Sequence, residues 1–339
     1  MKDKELFPLS VTIFCFSKEK NKRIFTTIGA KKHSMKTTFY SNGKLLITGE
    51  YLVLDGARAF ALPTKFGQDL VIENSSNQEI QWKSYNYDEQ LWYEDTISFA
   101  EIINNTESKI ETVKTTLINI LHEAYLLNPD FINNSEGYNI STQLTFPKNW
   151  GLGTSSTLLN NIAQWTNIDA FTLLKNSFGG SGYDIACAQN DTPIVYRLEQ
   201  NLPVVETVNF NPDFTSSIFF VYLNKKQNSK TAISAYYNNK NQNLAHNIID
   251  NNKITAAILN AKTLKEFALA LEKHEIHLSN ILEIRTIKEA AFPDFNGVVK
   301  SLGAWGGDFV MVISKENPTA YFASKGYETI LTYNEMILI

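Results

Sequence analysis

The pattern of hydrophobic and polar positions changes its period several times along the chain. After residue 36, short runs rich in aromatic and β-branched side chains alternate in the way that is typical of half-buried strands. The first run predicts two short strands around a turn at Asn42-Gly43. Further predicted strands are DLVIEN, EIQWKSYN, LWYEDTISF, GYNISTQLTFP, TPIVYRLE, SSIFFVYLN and GDFVMVIS.

Between these runs the apolar residues recur at helical spacing. In ESKIETVKTTLINILHEAYLLNP this spacing predicts a helix that Pro129 ends. Helices are also predicted for residues 155–178 and for an Ala- and Leu-rich region at 254–291. Because strands and helices mix without regular βαβ alternation, the sequence predicts an α+β fold.

The chain of 339 residues is long enough for two domains. Pro203 and Pro212 interrupt the pattern in NLPVVETVNFNPDF, and the predicted domains are therefore 35–208 and 209–339. We expect residues 1–34 to be an extension outside the fold, whether or not they belong to the native protein, because Met35 directly precedes the first strand-like run. The apolar stretch within this extension is too short to span a bilayer.

Composition and charge exclude several classes of protein. Hydrophobic residues make up 43% of the chain, charged residues 19%, and the net charge is -4, which is ordinary for a soluble globular protein. Lys and Arg are spread thinly, so we expect neither a nucleic-acid partner nor a membrane partner. Cys15 and Cys187 have no metal-ligand spacing and cannot form a disulfide framework, which favours a cytoplasmic location.

Candidate chemistry begins at the loop PKNWGLGTSS, residues 147–156. Gly151 and Gly153 allow the backbone to approach a ligand, and the amides at the start of the predicted helix form an anion site. An ordinary helix cap explains the same residues about as well, and the Lys of a P-loop is missing. The residues assigned to a phosphate-bearing cofactor are Pro147, Trp150, Gly151, Leu152, Gly153, Thr154, Ser155 and Ser156.

Three other segments carry weaker signals. Asp184, after a Gly-Ser-Gly loop, could take a proton from an acceptor hydroxyl or cap a helix that begins at Ile185. Lys44 could pair with Asp184 or with a phosphate, or be an exposed strand lysine. The glycines of GAWGGD at 303–308 fit either a tight turn or a wall beside a ligand.

In this order the four segments together resemble the GHMP kinases, which phosphorylate galactose, homoserine, mevalonate and phosphomevalonate. The resemblance covers residues 36–313. NGKLLITGEYLVLDG is similar to the first family motif, with Asn42 where Pro is usual, and PKNWGLGTSS is similar to the second, with Thr154 at the first Ser. SGYD matches the segment of the catalytic Asp, and GAWGGD resembles the third motif, with a Trp where Gly is usual.

The resemblance implies a two-domain fold, with a ribosomal-protein-like N-terminal domain and a ferredoxin-like C-terminal domain. It implies ATP and Mg2+ as cofactors, a small-molecule substrate, Asp184 and Lys44 as catalytic residues, and Ser155 as a metal ligand. A homodimer is one of the oligomeric states it leaves open. The residues implied near the substrate are Glu50, Ser181, Gly182, Ser229, Lys230, Gly303, Gly306 and Gly307.

Within that family the mevalonate branch is the most similar. GKLLITGEYLVLDGARAFALPT resembles the opening of mevalonate and phosphomevalonate kinases, and GSGYDIACA resembles the phosphomevalonate form. FTLLKNSFGG contains no carboxylate where mevalonate kinases carry a Mg2+-binding Glu, which favours phosphomevalonate as acceptor. The alternatives are a diphosphomevalonate decarboxylase, a sugar or homoserine kinase of the same fold, and a non-catalytic protein that binds a metabolite and regulates.

Overall fold

The structure is a computed structural model that describes residues 36–105, 110–225, 236–237, 243–303, 305 and 307–338. The expected extension at 1–34 lies outside the described residues. So do Ser229, Lys230 and Gly306, three of the residues that the resemblance implies near the substrate.

The first part of the chain forms a seven-stranded sheet. Its order is β4-β3-β5-β2-β6-β7, and β1 pairs with β2 outside this path. The β3–β5 pair is parallel, and the other pairs are antiparallel. The strands are β1 (Lys36–Thr48), β2 (Ala59–Asn74), β3 (Glu79–Tyr85), β4 (Leu91–Ser98), β5 (Tyr138–Leu144), β6 (Ile194–Glu199) and β7 (Leu202–Thr207).

Helices cover this sheet because its strands alternate in polarity. In β3 the side chains of Ile80 and Trp82 are buried while Gln81 between them is exposed, which gives the strand one apolar face. Leu117 and Leu121 of α2 and Leu159 of α4 belong to the same apolar cluster as Ile80 and Trp82. The helices are α1 (Phe99–Asn104), α2 (Val113–Leu127), α3 (Asp130–Asn133), α4 (Thr154–Thr166), α5 (Ala170–Ser177) and α6 (Tyr183–Ala188).

The second part of the chain forms a four-stranded antiparallel sheet of order β11-β8-β10-β9. All residues of β8 and β10 are buried, as expected for the central strands of a sheet that is covered on both faces. The strands are β8 (Ile218–Tyr222), β9 (Val298–Ser301), β10 (Phe309–Ile313) and β11 (Ile330–Thr332). The helices are α7 (Leu244–Asn260), α8 (Leu264–Leu282), α9 (Ile287–Ala291), α10 (Thr319–Ser324) and α11 (Tyr333–Met336).

One apolar cluster contains residues from both sheets. It includes Phe60 and Leu62 from β2, Phe220 from β8, Phe309 from β10 and Phe267 from α8. This cluster, which we call the shared core, crosses the predicted domain boundary at residue 208. The predicted boundary lies between the end of β7 at Thr207 and the start of β8 at Ile218. That this point separates two domains stays a prediction.

The predicted α+β class is confirmed, whereas the predicted turn at Asn42-Gly43 is wrong. β1 runs through this point with only a register shift between Asn42 and Lys44. The glycine is explained by crowding, because a Cβ at Gly43 would lie 2.7 Å from Thr64 Oγ1 and 3.0 Å from the carbonyl oxygen of Leu152.

The predicted helix at 155–178 is divided in two. Asn167 ends α4 in the left-handed conformation (φ 55°), and the Asp169 side chain caps α5 by accepting the Thr172 amide. Within the part of the chain that the structure describes, no helix is long and apolar enough to cross a membrane.

Truncation of Phe267 tests the shared core. Its ring is fully buried, with centroids 5.8 Å from Phe210 and 5.3 Å from Phe214. Phe267→Ala should lower the free energy of unfolding by about 3–5 kcal/mol in urea denaturation, because the cavity removes contacts to both rings. Leu269→Ala on the half-exposed side of the same helix should change it by no more than about 0.5 kcal/mol. Similar losses in the two variants would contradict the position of Phe267.

Candidate active site

The loop that follows β5 leads into α4 with no side-chain cap. Gly151 and Gly153 have φ values of 69° and 99°, and Gly153 occupies the N-cap position. No side chain caps α4, so a helix cap alone does not explain this loop. The first amides of a helix have no partner within it, which leaves them available for an anion.

The hydroxyl groups at the start of α4 have different surroundings. Ser155 is exposed, and its hydroxyl makes no hydrogen bond to a described residue. Ser156 is buried and donates to the carbonyl oxygen of Gly153 at 2.8 Å, so its hydroxyl braces the loop. Of these two hydroxyls, Ser155 is therefore the one that can reach a ligand.

Aromatic side chains hold this loop against both sheets. The ring of Trp150 packs edge-on against Phe66 of β2 and Phe309 of β10, each with a centroid distance of 5.4 Å. The Tyr222 hydroxyl donates to the carbonyl oxygen of Asn149 at 3.1 Å. Trp150 packs against the shared core and Leu152 is part of it, so contacts of these two residues with a ligand would come from their backbone.

Lys44 ties β1 to the same loop. Its backbone amide donates to the carbonyl oxygen of Leu152, and its Nζ donates to that of Gly151, both at 3.0 Å. Nζ also lies 5.9 Å from the centre of the Tyr183 ring. Lys44 is half-buried beside the loop rather than an exposed strand lysine.

Asp184 lies in the first turn of α6, after the left-handed Gly182 (φ 89°). Its carboxylate accepts the amide of Ile185 at 3.0 Å. Burial raises the pKa of the Asp184 carboxyl, and the Lys44 ammonium opposes this shift without cancelling it. Among the described residues no ion pair joins Lys44 and Asp184, so the two charges interact across a gap.

The glycines before Asp184 border open space. A Cβ at Gly179 or Gly180 would meet nothing within 4 Å, and both residues have positive φ. Ser181 is fixed through its carbonyl oxygen, which accepts the Tyr196 hydroxyl. Gly182 lies close to the Phe171 ring, where a Cβ would be 3.0 Å from a ring carbon. The segment therefore combines an anchored end next to Asp184 with an open side that could admit a substrate.

Glu50 is held in a buried ion pair that the sequence patterns did not reveal. Its Oε1 lies 2.6 Å from Nζ of Lys300 in β9, and its Oε2 lies 3.4 Å from Nε2 of His274 in α8. Burial raises the pKa of the Glu50 carboxyl to about 7, although Lys300 opposes the shift. A lysine within the apolar run VVKS was the signal available in the sequence.

Asp308, which directly precedes β10, lies beside the loop that leads into α4. Asp308 has a left-handed backbone (φ 53°), and a Cβ at Gly151 would lie 2.4 Å from its carboxyl carbon. Gly303 borders open space, and Gly307 is buried. Trp305, where the family motif has Gly, is buried, and its amide donates to the Tyr51 hydroxyl at 3.1 Å.

No protein-family model matches the chain, and no curated protein matches its sequence significantly. Solved structures do match it. The mevalonate kinase of Methanococcus jannaschii superposes with a TM-score of 0.63 at 16% identity, covering 92% of this chain and 100% of that one. The phosphomevalonate kinase of Streptococcus pneumoniae, in complex with phosphomevalonate and AMPPNP, gives 0.64 at 18% identity, covering 87% and 99%.

The galactokinase of Lactococcus lactis, in complex with galactose, is similar over the same extent. Its TM-score is 0.64 at 12% identity, with 90% of this chain and 95% of that one covered. The chain has the GHMP kinase fold. In this fold Lys44 lies in β1, Asp184 in α6 and Lys300 in β9, and Asp308 directly precedes β10.

The donors around the loop suit the cofactors of a GHMP kinase. The uncapped start of α4 could receive phosphate groups, and the Ser155 hydroxyl offers the oxygen ligand that Mg2+ prefers. Among the described residues no group of three or more His, Cys, Asp or Glu could hold a metal ion. A Mg2+ ion here would therefore depend on phosphate oxygens and water for most of its ligands.

Two glycines with the same φ of 69° allow a matched test of the crowding at the loop. Gly151→Ala and Gly179→Ala introduce the same backbone strain, but only the first places a Cβ against Asp308. We expect Gly151→Ala to lose at least about 1 kcal/mol more of the free energy of unfolding than Gly179→Ala in urea denaturation. Equal losses would contradict the contact between the loop and Asp308.

The raised pKa of Glu50 predicts a pH dependence of stability. The folded state holds the Glu50 proton up to a pKa of about 7, whereas the unfolded state loses it near 4.5. The contribution of Glu50 is therefore complete below pH 4.5 and disappears as the pH rises through about 7, a change on the order of 3 kcal/mol. Glu50→Gln should match the native protein near pH 4.5 and exceed its free energy of unfolding at pH 8. A constant difference between the two proteins across this range would refute the shift.

Proposed function

We propose that this protein is an ATP-dependent kinase of a small metabolite, with phosphomevalonate or mevalonate as acceptor in isoprenoid precursor synthesis. The observation that carries the proposal is the arrangement of one cation and one carboxylate, Lys44 and Asp184, around an uncapped helix start. A helix start of this kind is suited to phosphate groups. The GHMP kinase fold supports the same conclusion.

Each group has a distinct role in the proposed transfer. The amides at the start of α4 would bind the β- and γ-phosphates of ATP, and Mg2+ held in part by Ser155 would neutralise phosphate charge when bound. Lys44, already at the loop through its bond to the Gly151 carbonyl, would stabilise the charge on the transferred group. Asp184 would orient the acceptor oxygen or take its proton. Positioning and charge neutralisation supply most of the rate in reactions of this type.

Phosphomevalonate is the acceptor that we favour. FTLLKNSFGG contains no carboxylate, unlike the corresponding stretch of mevalonate kinases, and one structural neighbour is a phosphomevalonate kinase in complex with phosphomevalonate. A phosphate acceptor is already ionised at neutral pH, so it needs no strong base. The raised pKa of Asp184 is compatible with a role in which position matters more than proton transfer.

A coupled assay of ADP release with mevalonate, phosphomevalonate, homoserine and galactose tests the proposal. We expect the highest turnover with phosphomevalonate. Release of CO2 from diphosphomevalonate would instead identify a decarboxylase. The absence of ADP release with every acceptor, combined with metabolite binding, would identify a regulator.

Substitution of the two catalytic residues tests their roles. Lys44→Met and Asp184→Asn should each reduce kcat by about two orders of magnitude or more, because each removes charge or positioning at the reacting groups. Lys44→Met also removes the cation that lowers the pKa of Asp184, so the acid limb of its remaining pH profile should move to higher pH. The pH profile and kcat are measured in the same assay.

Matched controls are available on the surface of the seven-stranded sheet and its helices. Lys83 forms an exposed ion pair with Glu94, and Asp169 caps α5, a position that Asn also fills well. Lys83→Met and Asp169→Asn should leave kcat nearly unchanged. Near-normal turnover in both active-site variants would reject the assigned roles.

A further inference from the structure

The carboxylate of Asp308 is packed against the loop to which the phosphate groups of ATP are assigned. A Cβ at Gly151 would lie 2.4 Å from the carboxyl carbon and 2.4 Å from one of its oxygens. Lys44 Nζ binds the carbonyl oxygen of the same glycine at 3.0 Å. A negative and a positive side chain therefore meet the loop at one residue.

The backbone around Asp308 fixes this position. The Asp308 amide donates to the carbonyl oxygen of Lys225 at 2.6 Å, and its carbonyl oxygen accepts the Leu223 amide at 2.8 Å. The next residue, Phe309, begins β10 and packs against Trp150 of the loop. The carboxylate is thus held at the loop by a strand of the other sheet.

The negative potential of Asp308 extends into the site. Burial raises the pKa of Tyr222, which binds the loop, and that of Tyr183, which adjoins Asp184, and the charge of Asp308 adds to both shifts. A phosphate bound at the loop beside Gly151 would lie near this charge, and two like charges repel each other. A divalent cation held by this carboxylate would offset the repulsion.

The stretch FTLLKNSFGG also lacks the Mg2+-binding Glu that mevalonate kinases carry there. FTLLKNSFGG contains no Asp or Glu, and Ser155 alone is a weak ligand set. Mg2+ in phosphoryl-transfer sites is usually bound by one or two carboxylates together with substrate phosphates. Asp308 is a carboxylate in contact with the loop, and it comes from the opposite sheet.

We propose that Asp308 is a ligand of the nucleotide-bound Mg2+, which it shares with the Ser155 hydroxyl and the phosphate oxygens. This inference rests on the proposed function, because it requires a nucleotide at the start of α4. It adds that the residue directly before β10 of the four-stranded sheet supplies the metal carboxylate. Without the metal, the same carboxylate opposes nucleotide binding.

Calorimetric titration of ADP, once with Mg2+ and once with EDTA, tests the proposal on the full chain. Asp308→Asn should bind ADP more tightly than the native protein in EDTA, because the repulsion is gone. The factor by which Mg2+ strengthens ADP binding should fall by about tenfold or more, as expected for the loss of a metal-site partner. Mn2+ with ADP gives a second readout, in which the electron paramagnetic resonance signal of protein-bound Mn2+ should weaken to the same degree.

Two further variants make the test specific. Asn and Gly both tolerate a left-handed backbone, so Asp308→Asn and Asp308→Gly should fold, and both should show the same loss. Asp213→Asn, an exposed Asp in the same part of the chain, should leave both affinities unchanged. An unaltered Mg2+ effect in both Asp308 variants would overturn the metal role and leave the proposed function intact. If the native protein binds no ADP even with Mg2+, the metal role and the proposed function both fail.

Discussion

The two hydrogen bonds from Lys44 to the glycine loop are the contact on which the site depends. Its amide and its ammonium bind consecutive carbonyl oxygens, those of Leu152 and Gly151, so β1 and the start of α4 are held in one register. The contact requires a glycine at position 43, because a Cβ there would approach the Leu152 oxygen to 3.0 Å. The ammonium is fixed by the backbone rather than by a carboxylate, which leaves its charge available for an anion.

A second link joins the two sheets below the site. Glu50 lies two residues after the end of β1, whereas its ion-pair partner Lys300 belongs to β9. A buried ion pair of this kind contributes little net stability, because desolvation offsets most of the attraction. The pair therefore links β9 to the segment after β1 without adding much stability.

The sequence was most informative where a signal is local. Alternating polarity and helical spacing predicted most strands and helices, and the α+β class followed from their order. The prediction of a turn at Asn42-Gly43 was wrong because Asn-Gly usually marks a hairpin. Here Gly43 lies within a strand, where a side chain would collide with Thr64. The sequence did not reveal the contacts of Lys300, His274 and Asp308 for a related reason. Their partners lie more than 150 positions away along the chain, and no spacing encodes such contacts.

The shared core makes the two halves of the chain interdependent. Phe60 and Leu62 come from before residue 208, and Phe220, Phe267 and Phe309 come from after it. Expressed alone, either half would present its side of this core to water as one broad apolar surface, which is the kind of surface that drives aggregation. The biological unit of folding is therefore larger than the sheet that carries the loop. A scaffold that receives the loop and α4 would also need side chains that pack against Trp150 as Phe66 and Phe309 do here.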